Sequence, residues 1–243
     1  MTDLELAASI AEGAGKILLD LRTTGLFADK ALGKVGDRVA NAFIVAALRE
    51  HRPDDAILSE EEQDNDTRLG NKRVWVVDPL DGTREYGEGR ADWAVHIALA
   101  VDGQPTVGAV ALPGLGQVMR SRPQPLPPIP AKPRLLVSRT RPAQEALLVA
   151  EALGAELVPM GSAGAKAMAV LRGEAEIYLH TGGQYEWDNC APAAVALAAG
   201  LHVSRVDGSP LRYNNKNPYL PDLLICQDSL APRVLEILCR AEV

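Results

Sequence analysis

The chain has 243 residues, 47% of them hydrophobic, which is enough to bury a substantial core as one large domain or two smaller ones. Its formal net charge is -7, its basic residues are scattered and only 4% of it is aromatic, so it carries no footprint of a nucleic-acid or acidic-membrane surface. Cys190, Cys226 and Cys239 form no CxxC pair and are odd in number, a poor basis for a disulfide framework and a sign of the reducing cytoplasm.

The start, Met1-Thr2-Asp3-Leu4-Glu5, lacks the basic and apolar regions of a signal peptide, and the longest apolar stretch, Ala191 to Ala199, is too short to span a bilayer. From Leu4 to Leu21 apolar residues recur at helical spacing, with Thr2 or Asp3 as a cap and Gly25 as a stop. A second helical pattern runs from about Asp37 to Glu50 and ends before Pro53. Ala56 to Leu58, Val74 to Val77 and Ala94 to Val101 read as buried strands, and Asp102-Gly103 turns the chain into another, Thr106 to Leu112.

Between Ser121 and Pro133 there are six prolines in thirteen residues, which excludes a regular hydrogen-bonded element and favours an extended spacer. The spacer divides the chain into an N-terminal α+β unit, residues 1–122, a linker, 123–133, and a C-terminal α/β unit, 134–243. In the second unit Arg134 to Val137, Pro142 to Leu153, Glu156 to Val158, Ser162 to Arg172, Ala175 to Leu179 and Trp187 to Ala199 alternate strand and helix. The expected fold class is a layered α/β protein.

The sharpest local feature is Asp78-Pro79-Leu80-Asp81-Gly82-Thr83, at the end of the strand Val74 to Val77. A tight turn there brings two carboxylates and the Leu80 carbonyl toward one point, the hard oxygen donors that Mg²⁺ prefers. Thr83 could cap a short helix whose free N–H groups receive phosphate; an ordinary acidic turn with Thr83 as cap would read the same way. Two further acidic points, Leu58-Ser59-Glu60-Glu61-Glu62 and Trp187-Asp188, taken singly, are more simply a solvated loop and a helix cap. His51, His96, His180 and His202 have no metal-ligand spacing and the cysteines sit in apolar runs, so both types read as structural.

Taken together, Ser59-Glu60-Glu61, then Asp78 to Thr83, then Trp187-Asp188 resemble the inositol monophosphatase superfamily of lithium-sensitive, magnesium-dependent phosphatases. Leu58-Ser59-Glu60-Glu61, Val137-Ser138-Arg139 and Gly161-Ser162 with Lys166 are closest to the forms found in its 3'(2'),5'-bisphosphate nucleotidase branch. The resemblance covers nearly the whole chain and implies an αβαβα sandwich like that of inositol monophosphatase and fructose-1,6-bisphosphatase.

The resemblance further implies that Glu60, Asp78 and the Leu80 carbonyl bind one Mg²⁺, that Asp78, Asp81 and Asp188 bind a second, and that Glu61 holds the waters of a third. Gly82 and Thr83 would receive the phosphate. Asp37 would pair with Thr83 to orient the attacking water, with Glu60 beside them, although Lys34-Val35-Gly36-Asp37 departs from the Val-Thr that usually precedes this aspartate and Asp37 could instead cap the second helix. Five clustered carboxylates would repel a phosphate ester, so metal dependence is expected, with two-metal in-line displacement as the chemistry.

Substrate choice is expected in the second unit. Ser138, Arg139, Ser162, Lys166 and Asp188 are its candidate contacts, Arg141 a further cation for a second phosphate, and Tyr185 or Tyr213 a surface on which a base could stack. Lys166 and the arginines have solvated surface as their plain alternative. The implied substrate is 3'-phosphoadenosine 5'-phosphate or its sulfated precursor, with inositol or fructose phosphates as the alternative. Homodimers are common among such enzymes, but the sequence itself shows no partner chain.

Overall fold

In the computed structural model, which describes residues 1–241, every strand of the two sheets is covered on at least one face by helices, and alternate residues of single strands feed different cores. The last two residues of the 134–243 segment lie outside the described ones.

The first half begins with α1 (Asp3–Thr23) and α2 (Asp29–His51). Thr2 and Glu5 close α1 with a capping box, the Thr2 hydroxyl accepting from the Glu5 N–H and the Glu5 carboxylate from the Thr2 N–H, an arrangement that contributes about 1 kcal/mol. The second helix starts well before Asp37, which sits mid-helix and buried. The capping alternative for Asp37 is thereby excluded.

Next come β1 (Ala56–Ser59), β2 (Arg73–Asp81), the short α3 (Thr83–Gly87), β3 (Ala94–Val101), β4 (Gln104–Leu112) and β5 (Gln117–Arg120). They form a sheet in the order β1-β2-β3-β4-β5, parallel only between β1 and β2. Residues 121–133 form no helix or strand, as the prolines dictate.

The second half contributes β6 (Arg134–Ser138), α4 (Gln144–Leu153), β7 (Glu156–Met160), α5 (Ala163–Leu171), β8 (Ile177–Tyr185), α6 (Glu186–Ala198), β9 (His202–Ser204), β10 (Tyr219–Cys226) and α7 (Ala231–Ala241). Its sheet has the order β7-β6-β8-β10-β9, parallel from β7 to β8 and antiparallel beyond.

Period-2 alternation builds the layers. Trp75, Val77, Ile97 and Leu99 face α1 and α2 in one core, whereas their neighbours Val74, Val76, Ala98 and Ala100 face α5 and α6 in another. That central core takes Leu136, Tyr178, Leu223 and Ile225 from the second sheet, whose opposite face packs Leu135, Val137, Leu179 and Leu224 against α4 and α7. The result is an αβαβα sandwich. Covering both faces of the strands makes them read as continuous apolar runs.

Candidate active site

The strand β2 does not stop at Val77 but runs to Asp81, with its pairing to β3 interrupted: Asp78 lies opposite His96 and Asp81 opposite Ala94. Three steps along β2 therefore match two along β3, which is a bulge, placed where Pro79 has no N–H to contribute to the ladder. In a regular strand residues three apart face opposite sides. The bulge cancels that alternation and puts Asp78 and Asp81 on the same side, with the Leu80 N–H donating to Asp78 Oδ1 at 3.0 Å.

Asp188 arrives from the second half, in the first turn of α6, where its carboxylate accepts from the Tyr185 N–H at 2.6 Å. Asp78, Asp81 and Asp188 each offer an oxygen, and these oxygens lie within 4.8 Å of one another. Glu60 and Glu61 stand outside this cluster at the end of β1, where the Glu60 N–H donates to the Val77 carbonyl at 3.2 Å and so holds the loop against β2. Ser59 is occupied structurally: its hydroxyl donates to Asn41 Oδ1 at 2.8 Å, and Asn41 Nδ2 donates to Glu62.

Burial and then the charges of Glu60, Asp81 and Asp188 push Asp78 well above the ordinary carboxylate range. Glu60 is pushed up to about 8, by loss of solvent first and by Asp37 and Asp188 next. Asp188 rises to about 6, again from burial and then the charge of Asp81. Asp81 is the exception: burial works to raise it, but His96, the Ser162 hydroxyl and the Gly164 N–H hold it down at about 2. The Ala163 N–H adds a further donor, at 3.1 Å. A firmly ionised carboxylate is thus surrounded by others that resist ionising beside it, and a hard divalent cation relieves that conflict. The all-oxygen donor set fits such an ion.

Thr83 occupies the first position of α3 and Gly82, at φ 87°, the cap position, so Thr83 is not the cap. Its hydroxyl instead faces two acceptors, the Leu80 carbonyl at 3.0 Å and Asp37 Oδ2 at 3.3 Å. Asp37 is pushed up to about 7 by burial and the neighbouring charge of Glu61, and its Oδ1 is buried with no partner. Gly33 makes this approach of α2 possible: a Cβ there would meet Thr83 Cγ2 at 2.7 Å.

Two clefts flank the cluster. One of 800 Å³ is lined by Lys30, Lys34, Arg38, Asp37, Glu61 and Thr83. The other, of 440 Å³, has Asp81, Gly82 and Asp188 at its floor and Ser138, Arg139, Arg141, Ser162, Lys166 and His180 along its walls. The second is lined by two of the three clustered carboxylates, Asp81 and Asp188.

Several expected residues have other work in addition. Lys166 is buried, not solvated surface; its Nζ donates to the Ser162 carbonyl at 2.7 Å and lies 5.3 Å from the Tyr178 ring centre. Arg139 is tied to Glu85 at 2.6 Å and Glu88 at 3.0 Å, clamping α3 to the end of β6. The Ser162 hydroxyl is spent on Asp81, and its oxygen caps α5 by accepting from the Ala165 N–H at 2.9 Å. Ser138 accepts from the backbone of Thr140 and Arg141. Tyr213 is 3% exposed and donates to Asn189, so it cannot stack on a ligand. Tyr185 is exposed and stacked on Trp187 with ring centres 4.8 Å apart.

Sequence reasoning missed His96, Tyr178, His180 and Glu85. His180 lines the cleft and His96 Nε2 lies 3.2 Å from Asp81 Oδ2; Cys239 is exposed, whereas Cys190 and Cys226 are buried. The signal for His96 was present, because it is the one polar residue in Ala94–Val101. Among the described residues no helix is long and apolar enough to cross a membrane.

The chain matches the inositol monophosphatase family over residues 4–241. A protein of Mycobacterium leprae named 3'-phosphoadenosine 5'-phosphate phosphatase is 48% identical, the match covering 98% of this chain and 94% of that protein. The 3'(2'),5'-bisphosphate nucleotidase CysQ of Escherichia coli strain K12 is 31% identical over 79% of this chain and 84% of its own. Among solved structures, CysQ of Bacteroides thetaiotaomicron superposes with a TM-score of 0.80 at 25% identity, covering 93% of this chain and 97% of that one.

Proposed function

The chain belongs to the inositol monophosphatase family and is a phosphatase, and from that premise we propose that it is a magnesium-dependent, cytoplasmic enzyme that removes the 3'-phosphate of 3'-phosphoadenosine 5'-phosphate, or of its sulfated precursor. The observation that carries this reading is the juxtaposition of the acid cluster Asp78, Asp81 and Asp188 with a cleft walled by Lys166, Arg139 and Arg141. The mycobacterial relative matched from end to end supports the nucleotide as substrate.

Asp78, Asp81, Asp188, Glu60 and the Leu80 carbonyl would hold the cations, with Glu61 at the rim. When bound, Mg²⁺ supplies positive charge to the phosphoryl group and to the attacking and departing oxygens. The chain's own residues do the rest. Gly82 and Thr83 present backbone to the phosphate. The Thr83 hydroxyl, shared between Asp37 and the Leu80 carbonyl, orients the attacking water, and Asp37, close to its titration point near pH 7, receives the water's proton through it. Lys166 and Arg141 attract the second phosphate, which lies away from the reacting bond. The halves 1–122 and 134–243 act as two units meeting at this cleft, with the linker 123–133 away from the chemistry.

Phosphate release from 3'-phosphoadenosine 5'-phosphate, inositol 1-phosphate and fructose 1,6-bisphosphate, with and without Mg²⁺, tests the reading. Magnesium-dependent preference for the nucleotide is the expected result. Preference for a sugar or inositol phosphate would overturn the substrate assignment, and turnover undiminished in excess chelator would overturn the metal.

A further inference from the structure

His96 is fully buried, yet it sits where no packing residue needs to be polar. It lies on β3 directly opposite Asp78, so the two side chains leave the sheet on the same face, with Cβ atoms about 5 Å apart by the geometry of such pairs. Its Nε2 is 3.2 Å from Asp81 Oδ2, close enough for charge attraction though not aligned as a good hydrogen bond. Its Nδ1 is 3.1 Å from the Trp187 carbonyl oxygen, the residue before Asp188. One imidazole therefore backs all three members of the cluster: Asp78 across the strands, Asp81 by direct contact, and Asp188 through the adjoining peptide.

The surrounding backbone is shaped to this ring. A Cβ on Gly164 would lie 2.0 Å from His96 Nε2, so α5 can bring its Gly164 N–H to Asp81 at 2.6 Å only because no side chain occupies that position. Asp81 belongs to the first half of the chain, whereas Trp187 and Gly164 belong to the second, so His96 joins the sheet that carries two carboxylates to the helix that carries the third.

We propose that His96 is a positioning residue for cation binding, bracing Asp81 and the Trp187–Asp188 corner from behind so that the three carboxylates stay poised for one ion. The role is that of an outer partner which orients carboxylate ligands, and loss of such a partner commonly weakens metal affinity by about 10–100-fold. It rests on the reading of Asp78, Asp81 and Asp188 as a cation site, and the test separates the two.

Chelator-stripped full-length protein is titrated with Mn²⁺ and free ion followed by electron paramagnetic resonance, for wild type, His96→Gln, His96→Met and Gly164→Ala. Gln and Met have nearly the same shape, but only Gln has an N–H to offer Asp81. The expected result is Mn²⁺ binding at least tenfold weaker in His96→Met, within about threefold of wild type in His96→Gln, and weakened in Gly164→Ala, whose new methyl displaces the ring. Should His96→Met fail to fold, Gly164→Ala decides, because it moves the imidazole without removing it. Equal affinities for the Met and Gln variants, or unchanged affinity in Gly164→Ala, would overturn the role of His96. A wild type that binds no Mn²⁺ would overturn the cation site itself.

Discussion

The two sides of the cleft are built on opposite principles. On the floor, Asp78, Asp81 and Asp188 are crowded together with too little positive charge among them, and all but Asp81 are driven to hold their protons. On the walls, two cations already have partners: Arg139 is paired with Glu85 and Glu88, and Lys166 Nζ donates to the Ser162 carbonyl beside the Tyr178 ring. The floor therefore favours a ligand of opposite charge, whereas Arg139 and Lys166 on the walls are held by the protein itself. On the proposed reading the floor is the place of chemistry and the walls the place of selection.

The sharpest way to break that contrast is Asp78→Asn. Removing one carboxylate from the floor is expected to lower kcat by roughly a thousandfold or more while raising the melting temperature of the metal-free protein by a few degrees, because it relieves repulsion among buried acids. Steady-state kinetics and calorimetry in chelator check both halves of the statement. A variant that lost activity and stability together would show that the floor is ordinary packing.

A second change leaves every reacting group in place. Gly33→Ala would drive a methyl into Thr83 Cγ2 and the Thr83 carbonyl, 2.7 and 2.9 Å from the new Cβ. Displacement of this size is expected to cost roughly a hundredfold in kcat with little effect on KM. Unchanged kcat would show that Thr83 need not be held where it lies.

The smallest effect is a pH dependence. Asp37, Asp188 and Glu60 have folded values raised to about 7, 6 and 8, so the folded state binds more protons than the unfolded chain from about pH 4 up to those values. Metal-free stability should therefore fall as pH rises from about 4 to 8. The raised His96 adds to the trend above pH 6.5, while Asp81, held down at about 2, contributes a constant stability over this range that is lost only as pH falls below about 4. Mg²⁺ competes with these protons, so the melting-temperature gain on adding it should grow over the same range. Thermal scans at pH 5.5 and 8 measure this; an equal gain at both would contradict the crowding of the floor.

Much of this contrast was legible in the sequence, and the exceptions have physical causes. The α1 cap, the first four strands of the first sheet and the proline-rich spacer carry local signals, so they could be read directly, whereas the short β5 could not. The β2 bulge could not, because Pro79 reads equally as a turn or as an interruption in a paired strand, and only the register with β3 decides. Asp37 could be a cap or the partner of Thr83 because the apolar pattern of the second helix starts only at about Asp37; the helix in fact begins at Asp29, and its Gly33 and Gly36 let α2 approach Thr83 and Tyr86 closely. Lys166, a candidate substrate contact with solvated surface as its alternative, is buried, with Nζ 5.3 Å from the centre of the Tyr178 ring on β8, a neighbour that the pattern of its own helix does not reveal. β9, β10 and α7 had too few flanking signals to be separated from loop.

The most direct test of the division between floor and wall is kcat/KM for 3'-phosphoadenosine 5'-phosphate and for inositol 1-phosphate, in wild type, Asp81→Asn and Lys166→Met at saturating Mg²⁺. Asp81→Asn is predicted to lower both substrates by the same large factor, and Lys166→Met to lower only the bisphosphate, by about tenfold, the loss of one charged contact. If Lys166→Met reduced both substrates equally, Lys166 would belong to the machinery of the reaction, and the division between chemistry on the floor and selection on the wall would be wrong.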